Sequence, residues 1–198
     1  MHIAFPFRRW FSGIAIVLTG TMLGLSAPAL ADELGPPVGS TAPSIGSPPD
    51  QTGKARALPD LVGPKGLVLM FFRSAAWCPY CQAQLLDMNS GVAEIEKRGY
   101  KIAALSYDKP AVTAAFAKAR NIAFTFLSDP KSEVIDRYRL RDPQYHEGSM
   151  AFGVPRPIIF LLDPAGRIQA KLYEETYKTR PPVGAVVAKI DEVNAASK

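Results

Sequence analysis

The chain has 198 residues, 47% of them apolar and 21% charged, a composition suited to one globular domain with or without a tail. Formal net charge is +5, with Arg8 and Arg9 contributing from a segment expected to be removed. No run of Lys and Arg is interleaved with aromatics, which argues against a nucleic-acid partner.

Residues 1–31 read as a secretory signal. Arg8 and Arg9 form the basic start, Trp10 to Leu25 the apolar stretch, and Ala29-Leu30-Ala31 a small-x-small cleavage site. Cleavage after Ala31 predicts a mature periplasmic chain from Asp32 that keeps no membrane attachment. The alternative is an uncleaved anchor, for which the apolar stretch is short, since a spanning helix takes about 20 residues. Arg8-Arg9-Trp10-Phe11 also partly matches a twin-arginine signal, and no Cys near residue 31 offers a lipid anchor. Residues 32–56 are rich in Pro, Gly, Ser and Thr without apolar periodicity, so a flexible leader is expected there.

The domain is expected over 57–198. Gly66 to Phe72 is a continuous apolar run, the pattern of a strand buried on both faces. Cys78 to Arg98 has helical apolar spacing and ends at Gly99. A strand over 102–107, an Ala-rich helix over 110–120 and a short strand over 122–127 follow. Asp129 caps a helix over 130–138. A strand over 157–162, a turn at Asp163-Pro164-Ala165-Gly166, a return strand over 168–173 and a helix over 182–195 complete the chain. This alternation predicts an α/β fold, a mixed central sheet with helices on both faces.

Trp77-Cys78-Pro79-Tyr80-Cys81 falls between the buried strand and the long helix and holds the only two cysteines. A disulfide across so short a segment closes almost no loop, so a structural staple is a poor use of it. A redox pair fits better. A cysteine at a helix start faces unpaired N–H groups and the positive end of the helix dipole, which favour the reactive thiolate. Pro79 suits the first helical turn because it has no N–H to satisfy. The expected roles are Cys78 as nucleophile and Cys81 as the resolving thiol. Structural zinc would need two further ligands, and only His2 and His146 are candidates, so no metal is expected. No bound cofactor is expected either, since the sulfurs themselves carry the electrons.

The segment Leu67 to Leu86, with Trp77 directly before Cys78, resembles the active-site segment of the thioredoxin superfamily. Gly153-Val154-Pro155-Arg156-Pro157 and the following strand resemble the segment that carries the superfamily's cis-proline. The resemblance implies Pro157 in that role, with Pro155 as second choice, and Arg156 beside it for substrate binding. Phe124 to Pro130 with its following helix is similar to the strand–helix insert of the redoxin branch, the AhpC/TSA group. These likenesses imply a thioredoxin fold over about 57–195.

Two departures bear on chemistry. Peroxiredoxins of this branch carry a Pro seven residues, and a Thr or Ser three residues, before the reactive Cys. Those positions are Phe71 and Ala75 here, with Ser74 one place off. The buried Asp of thioredoxins is replaced by Phe72, with Arg73 beside it as a solvated strand-end residue or a thiolate partner. The expectation is therefore an exported thiol–disulfide oxidoreductase that acts on protein thiols and needs a recycling partner. The alternatives are a peroxiredoxin-like antioxidant peroxidase using Cys78, and a non-enzymatic copper-handling protein with His146 as third ligand. Trp77 and Tyr80 are either substrate contacts or packing aromatics. Asp108, Asp129 and Asp163 read as turn or cap residues, and Lys97-Arg98 and Arg139-Arg141 as solvated faces.

Overall fold

The computed structural model describes residues 1–3 and 33–196. The export signal expected over 1–31 thus lies, apart from residues 1–3, outside the described residues. Among the described residues, no helix is long and apolar enough to cross a membrane.

The elements run α1 (Leu58–Leu61), β1 (Gly66–Phe71), α2 (Pro79–Ser90), α3 (Val92–Lys97), β2 (Tyr100–Ser106), α4 (Pro110–Arg120), β3 (Thr125–Ser128), α5 (Glu133–Arg137), β4 (Ile158–Leu162), β5 (Ile168–Leu172) and α6 (Val183–Ala196). The five strands form one sheet in the order β3-β2-β1-β4-β5. β1, β2 and β3 are parallel, while β4 pairs antiparallel with both β1 and β5. This is the mixed α/β sheet expected from the alternation of strand and helix patterns.

Side chains of β1 alternate between two cores, as a strand buried on both faces requires. Val68, Met70 and Phe72 join Leu85, Met88, Ile95, Val186 and Ile190 under α2, α3 and α6. Leu67, Leu69 and Phe71 join Ile135, Tyr138 and Phe160 on the other face. Each fully buried side chain of this size contributes roughly 1.5–3 kcal/mol.

The helix expected from Cys78 to Arg98 is broken at Gly91 into α2 and α3. A Cβ on Gly91 would come within 2.2 Å of Val183 Cγ2, so only glycine admits α6 at this crossing. The Asp87 carboxylate accepts the Val183 N–H at 2.7 Å and caps the start of α6 against α2. Asp129 takes the N–H groups of Glu133, Val134 and Ile135 at 2.9 Å, which starts α5.

Residues 33–56 are packed, not flexible as expected. Leu34 and Ile45 are buried in the second core. Thr41 bridges to Arg167 beside β5, and Asp50 bridges to Leu127 of β3. The segment thereby covers both edges of the sheet, which would otherwise offer open backbone to another chain. Its composition hid this because two isolated apolar anchors and backbone pairing leave no periodic pattern.

Candidate active site

Cys78 is the N-cap of α2 and Cys81 lies in its first turn. They form a disulfide with a Cα–Cα distance of 5.2 Å. The Cys81 N–H donates to Cys78 Sγ at 3.2 Å, the interaction expected for a sulfur at a helix N-terminus. The two residues are 1% and 0% exposed, so the oxidised pair is sealed from solvent. Burial of both sulfurs means that a bulky reductant reaches them only after local opening.

The loop before Cys78 is held from β2. Asp108 accepts Ser74 Oγ–H at 2.8 Å, the Ala75 N–H at 2.7 Å and Ser106 Oγ–H at 3.1 Å. Burial pushes the Asp108 carboxyl above its usual range, against the pull of these hydrogen bonds. The next residue back, Tyr107, accepts the Trp77 indole N–H at 2.9 Å and donates to Met150 O at 3.2 Å. Gln82 on α2 donates to Ala75 O at 2.8 Å. Ser74 is therefore committed to Asp108 and to the Ala76 N–H, and is not free to polarise a substrate.

Arg73 is buried, 2% exposed, and not the solvated strand-end residue that was one of its two readings. Its guanidinium lies over the rings of Tyr177, Tyr145 and Trp77 at 4.2, 5.0 and 5.1 Å, and it donates to the Tyr145 hydroxyl. Tyr80 is exposed, with its ring edge-on to Tyr177 at 6.1 Å. Arg180 donates from Nη2 toward Cys81 Sγ at 3.8 Å. Burial first, and repulsion from Arg73 second, lower the Arg180 pKa to about 10.

Trp77, Pro79 and Tyr80 thus adjoin the cysteine pair, whereas Arg156 and Pro157 line a neighbouring cavity of about 360 Å³. Tyr177, which stacks on Arg73, is another wall of that cavity. All peptide bonds among the described residues are trans, so the cis geometry expected at Pro157, or at Pro155, is absent. The Arg156 N–H donates to Leu140 O at 2.7 Å and Pro155 bridges to Arg141, which carries the chain into β4 in an extended trans path. His146 is exposed. Among the described residues, no three His, Cys, Asp or Glu side chains converge, so His146 does not join the cysteines as a copper site requires. Arg141 pairs with Asp136 at 2.7 Å and Arg98 with Asp191 at 2.8 Å, so neither is merely solvated.

Tyr177, Arg180, Tyr145 and Tyr107 were missed from the sequence. They lie 26 to 99 residues from the nearer cysteine, in irregular segments or at a strand end, and no local spacing marks them.

The AhpC/TSA family pattern matches residues 38–171. The chain belongs to the AhpC/TSA family. Peroxiredoxin Bcp of Escherichia coli (strain K12) is 32% identical over 131 residues, 66% of this chain and 81% of that protein. In three dimensions, the chain is similar to peroxidoxin BcpB from Mycobacterium tuberculosis, with a TM-score of 0.65 at 22% identity over 80% of this chain and 96% of the other. It is also similar to a Cys-to-Ser variant of Peroxiredoxin 6 of Arenicola marina, with a TM-score of 0.72 at 17% identity over 83% and 76%. The fold is the thioredoxin-like fold of AhpC/TSA proteins, and membership makes the chain a thiol-based redox enzyme.

Proposed function

We propose that the protein is a peroxiredoxin-type thiol peroxidase in which Cys78 attacks the peroxide and Cys81 resolves the product. The supporting observation is the Cys78–Cys81 disulfide at the N-terminus of α2, in a chain whose relatives carry peroxiredoxin names. Cys78 thiolate attacks the O–O bond, the sulfur takes OH, and the alkoxide or hydroxide leaves and is protonated. Cys81 thiolate then attacks the Cys78 sulfenic acid, releasing hydroxide and forming the disulfide. A dithiol reductant returns the pair to the thiol state. No bound cofactor takes part in this cycle.

Kinship thus favours peroxidase chemistry over the general disulfide exchange expected first from the sequence. Disulfide exchange is kept as the second reading because Phe71 and Ala75 stand where peroxiredoxins hold peroxide-orienting groups, and Ser74 is engaged by Asp108. The two readings separate in one assay series. Peroxide consumption with a dithiol reductant, lost in Cys78→Ser, is expected to exceed insulin disulfide reduction by the same preparation. The reverse ranking would favour disulfide exchange.

The export reading of residues 1–31 belongs to this proposal, with the periplasm as the site of action. N-terminal sequencing of protein from a periplasmic fraction is expected to begin at Asp32. A first residue of Met1 in the membrane fraction would favour the anchor instead.

A further inference from the structure

The peroxidase cycle gives no role to the two guanidiniums near the cysteine pair, Arg180 at Cys81 Sγ and Arg73 over the Trp77 ring. Among the described residues, neither Arg73 nor Arg180 forms an ion pair with a carboxylate. The Nε atoms of both are buried without a hydrogen-bond partner. Arg73 is buried but is met by the Tyr145 hydroxyl and three aromatic faces, whereas Arg180, partly buried, donates to Thr179 O and toward Cys81 Sγ, so a negative charge beside Arg180 would offset the cost of its desolvation. In the oxidised protein the nearest candidate, the disulfide, is neutral. In the reduced protein it can carry a thiolate.

Arg180 does not address the two sulfurs equally. Its Nη2 is directed at Cys81 Sγ, while Cys78 Sγ receives the Cys81 backbone N–H. The helix terminus therefore serves Cys78 and the guanidinium serves Cys81. The charged and titratable groups around the pair are Arg73 at the end of β1, Arg180 and Tyr177 in the segment before α6, and Tyr80 on α2.

Resting on the peroxidase reading of this site, we propose that Arg180 is a catalytic residue that holds Cys81 as a thiolate. In the resolving step, the Cys81 thiolate attacks the Cys78 sulfenic sulfur, an S–S bond forms, and hydroxide leaves to be protonated to water. In recycling, the reductant's thiolate attacks Cys78 Sγ, the S–S bond breaks, and its electron pair departs on Cys81, beside Arg180. The reductant's second thiolate then attacks its own sulfur in the mixed disulfide and releases Cys78 as thiolate. A stabilised leaving thiolate leaves faster, so Arg180 directs attack to Cys78 and away from Cys81. It also raises the reduction potential, since it favours the reduced form of the pair.

The test isolates Cys81 in a Cys78→Ser background and titrates it by pH-dependent alkylation, with and without Arg180→Met and Arg180→Lys. Arg180→Met is expected to move the Cys81 titration upward so that the thiolate fraction at neutral pH falls roughly tenfold, with partial return in Arg180→Lys. An unchanged titration in Arg180→Met would overturn the proposal. The second measurement keeps both cysteines and compares reduction potentials in glutathione buffers. A tenfold change in the reduction equilibrium is about 30 mV, and Arg180→Met is expected to shift the potential downward by that amount. An unshifted or raised potential would also overturn the proposal. Neither readout uses peroxide, so absent peroxide turnover would sink the proposed activity while leaving this assignment standing.

Discussion

The carboxylate of Asp108 accepts the backbone N–H of Ala75 at 2.7 Å, three residues before Cys78. With Ser74 on its other oxygen, this one side chain fixes the loop that delivers Cys78 to the start of α2. Asp108→Ala would leave a buried N–H and two hydroxyls without their acceptor, a cost of about 2–4 kcal/mol. Urea unfolding followed by circular dichroism reads this directly, and a loss below about 0.5 kcal/mol would show that the loop is held by other contacts.

Ser74→Ala separates structure from catalysis. Ser74 Oγ is spent on Asp108 and on the Ala76 N–H, so its loss is expected to lower stability by about 1 kcal/mol and leave the peroxide rate nearly unchanged. A large drop in rate with unchanged stability would make Ser74 the peroxide-polarising residue that Ala75 cannot be.

Asp50 predicts the acid limb of stability. Burial opposes its ionisation, but hydrogen bonds from Thr52, Arg56 and Lys54 outweigh that effect and lower its pKa from 3.8 to about 2. The unfolded state therefore binds more protons in this window, and the Asp50 contribution, about 2 kcal/mol, is present above pH 4 and lost as pH falls toward 2. Denaturation between pH 2 and 5 is expected to show that slope in the wild type and a shallower one in Asp50→Asn. Equal slopes would remove Asp50 as its source.

Gly66 opens β1 with a φ of 151°, and a Cβ there would sit 2.0 Å from Leu162 O. Gly66→Ala is expected to cost about 2–4 kcal/mol because β4 must move off β1. Thermal unfolding checks this, and a variant as stable as the wild type would mean that the strand pair has room to shift.

The parts of the fold that the sequence revealed are those whose local pattern matches their burial. The Gly66–Phe71 run, the Cys78 helix start and the Asp163–Gly166 turn each carry their own signal. The parts it concealed depend on long-range partners. Residues 33–56 read as a leader because they join the sheet only through single bridges, Thr41 to Arg167 and Asp50 to Leu127, and through two isolated apolar anchors, Leu34 and Ile45, which leave no periodic pattern. Arg73 allowed a solvated reading because the aromatic rings that accept it, Tyr145 and Tyr177, come from distant loops. The glycine at the α2–α3 break is required by Val183, far along the chain, which leaves no room for a Cβ at Gly91. Of the site, the two cysteines were legible and the two guanidiniums beside them were not placed.

The most direct test of peroxidase chemistry is a single turnover. Reduced Cys81→Ser protein, which cannot resolve, is mixed with one equivalent of hydrogen peroxide in a stopped-flow instrument, and the product is read by intact mass and dimedone trapping. A sulfenic acid on Cys78, formed at least roughly 100-fold faster than on a free cysteine thiolate, is the predicted result, the scale that preorganised donors provide. Oxidation of Cys78 at the rate of free cysteine would contradict the account and return the site to disulfide exchange.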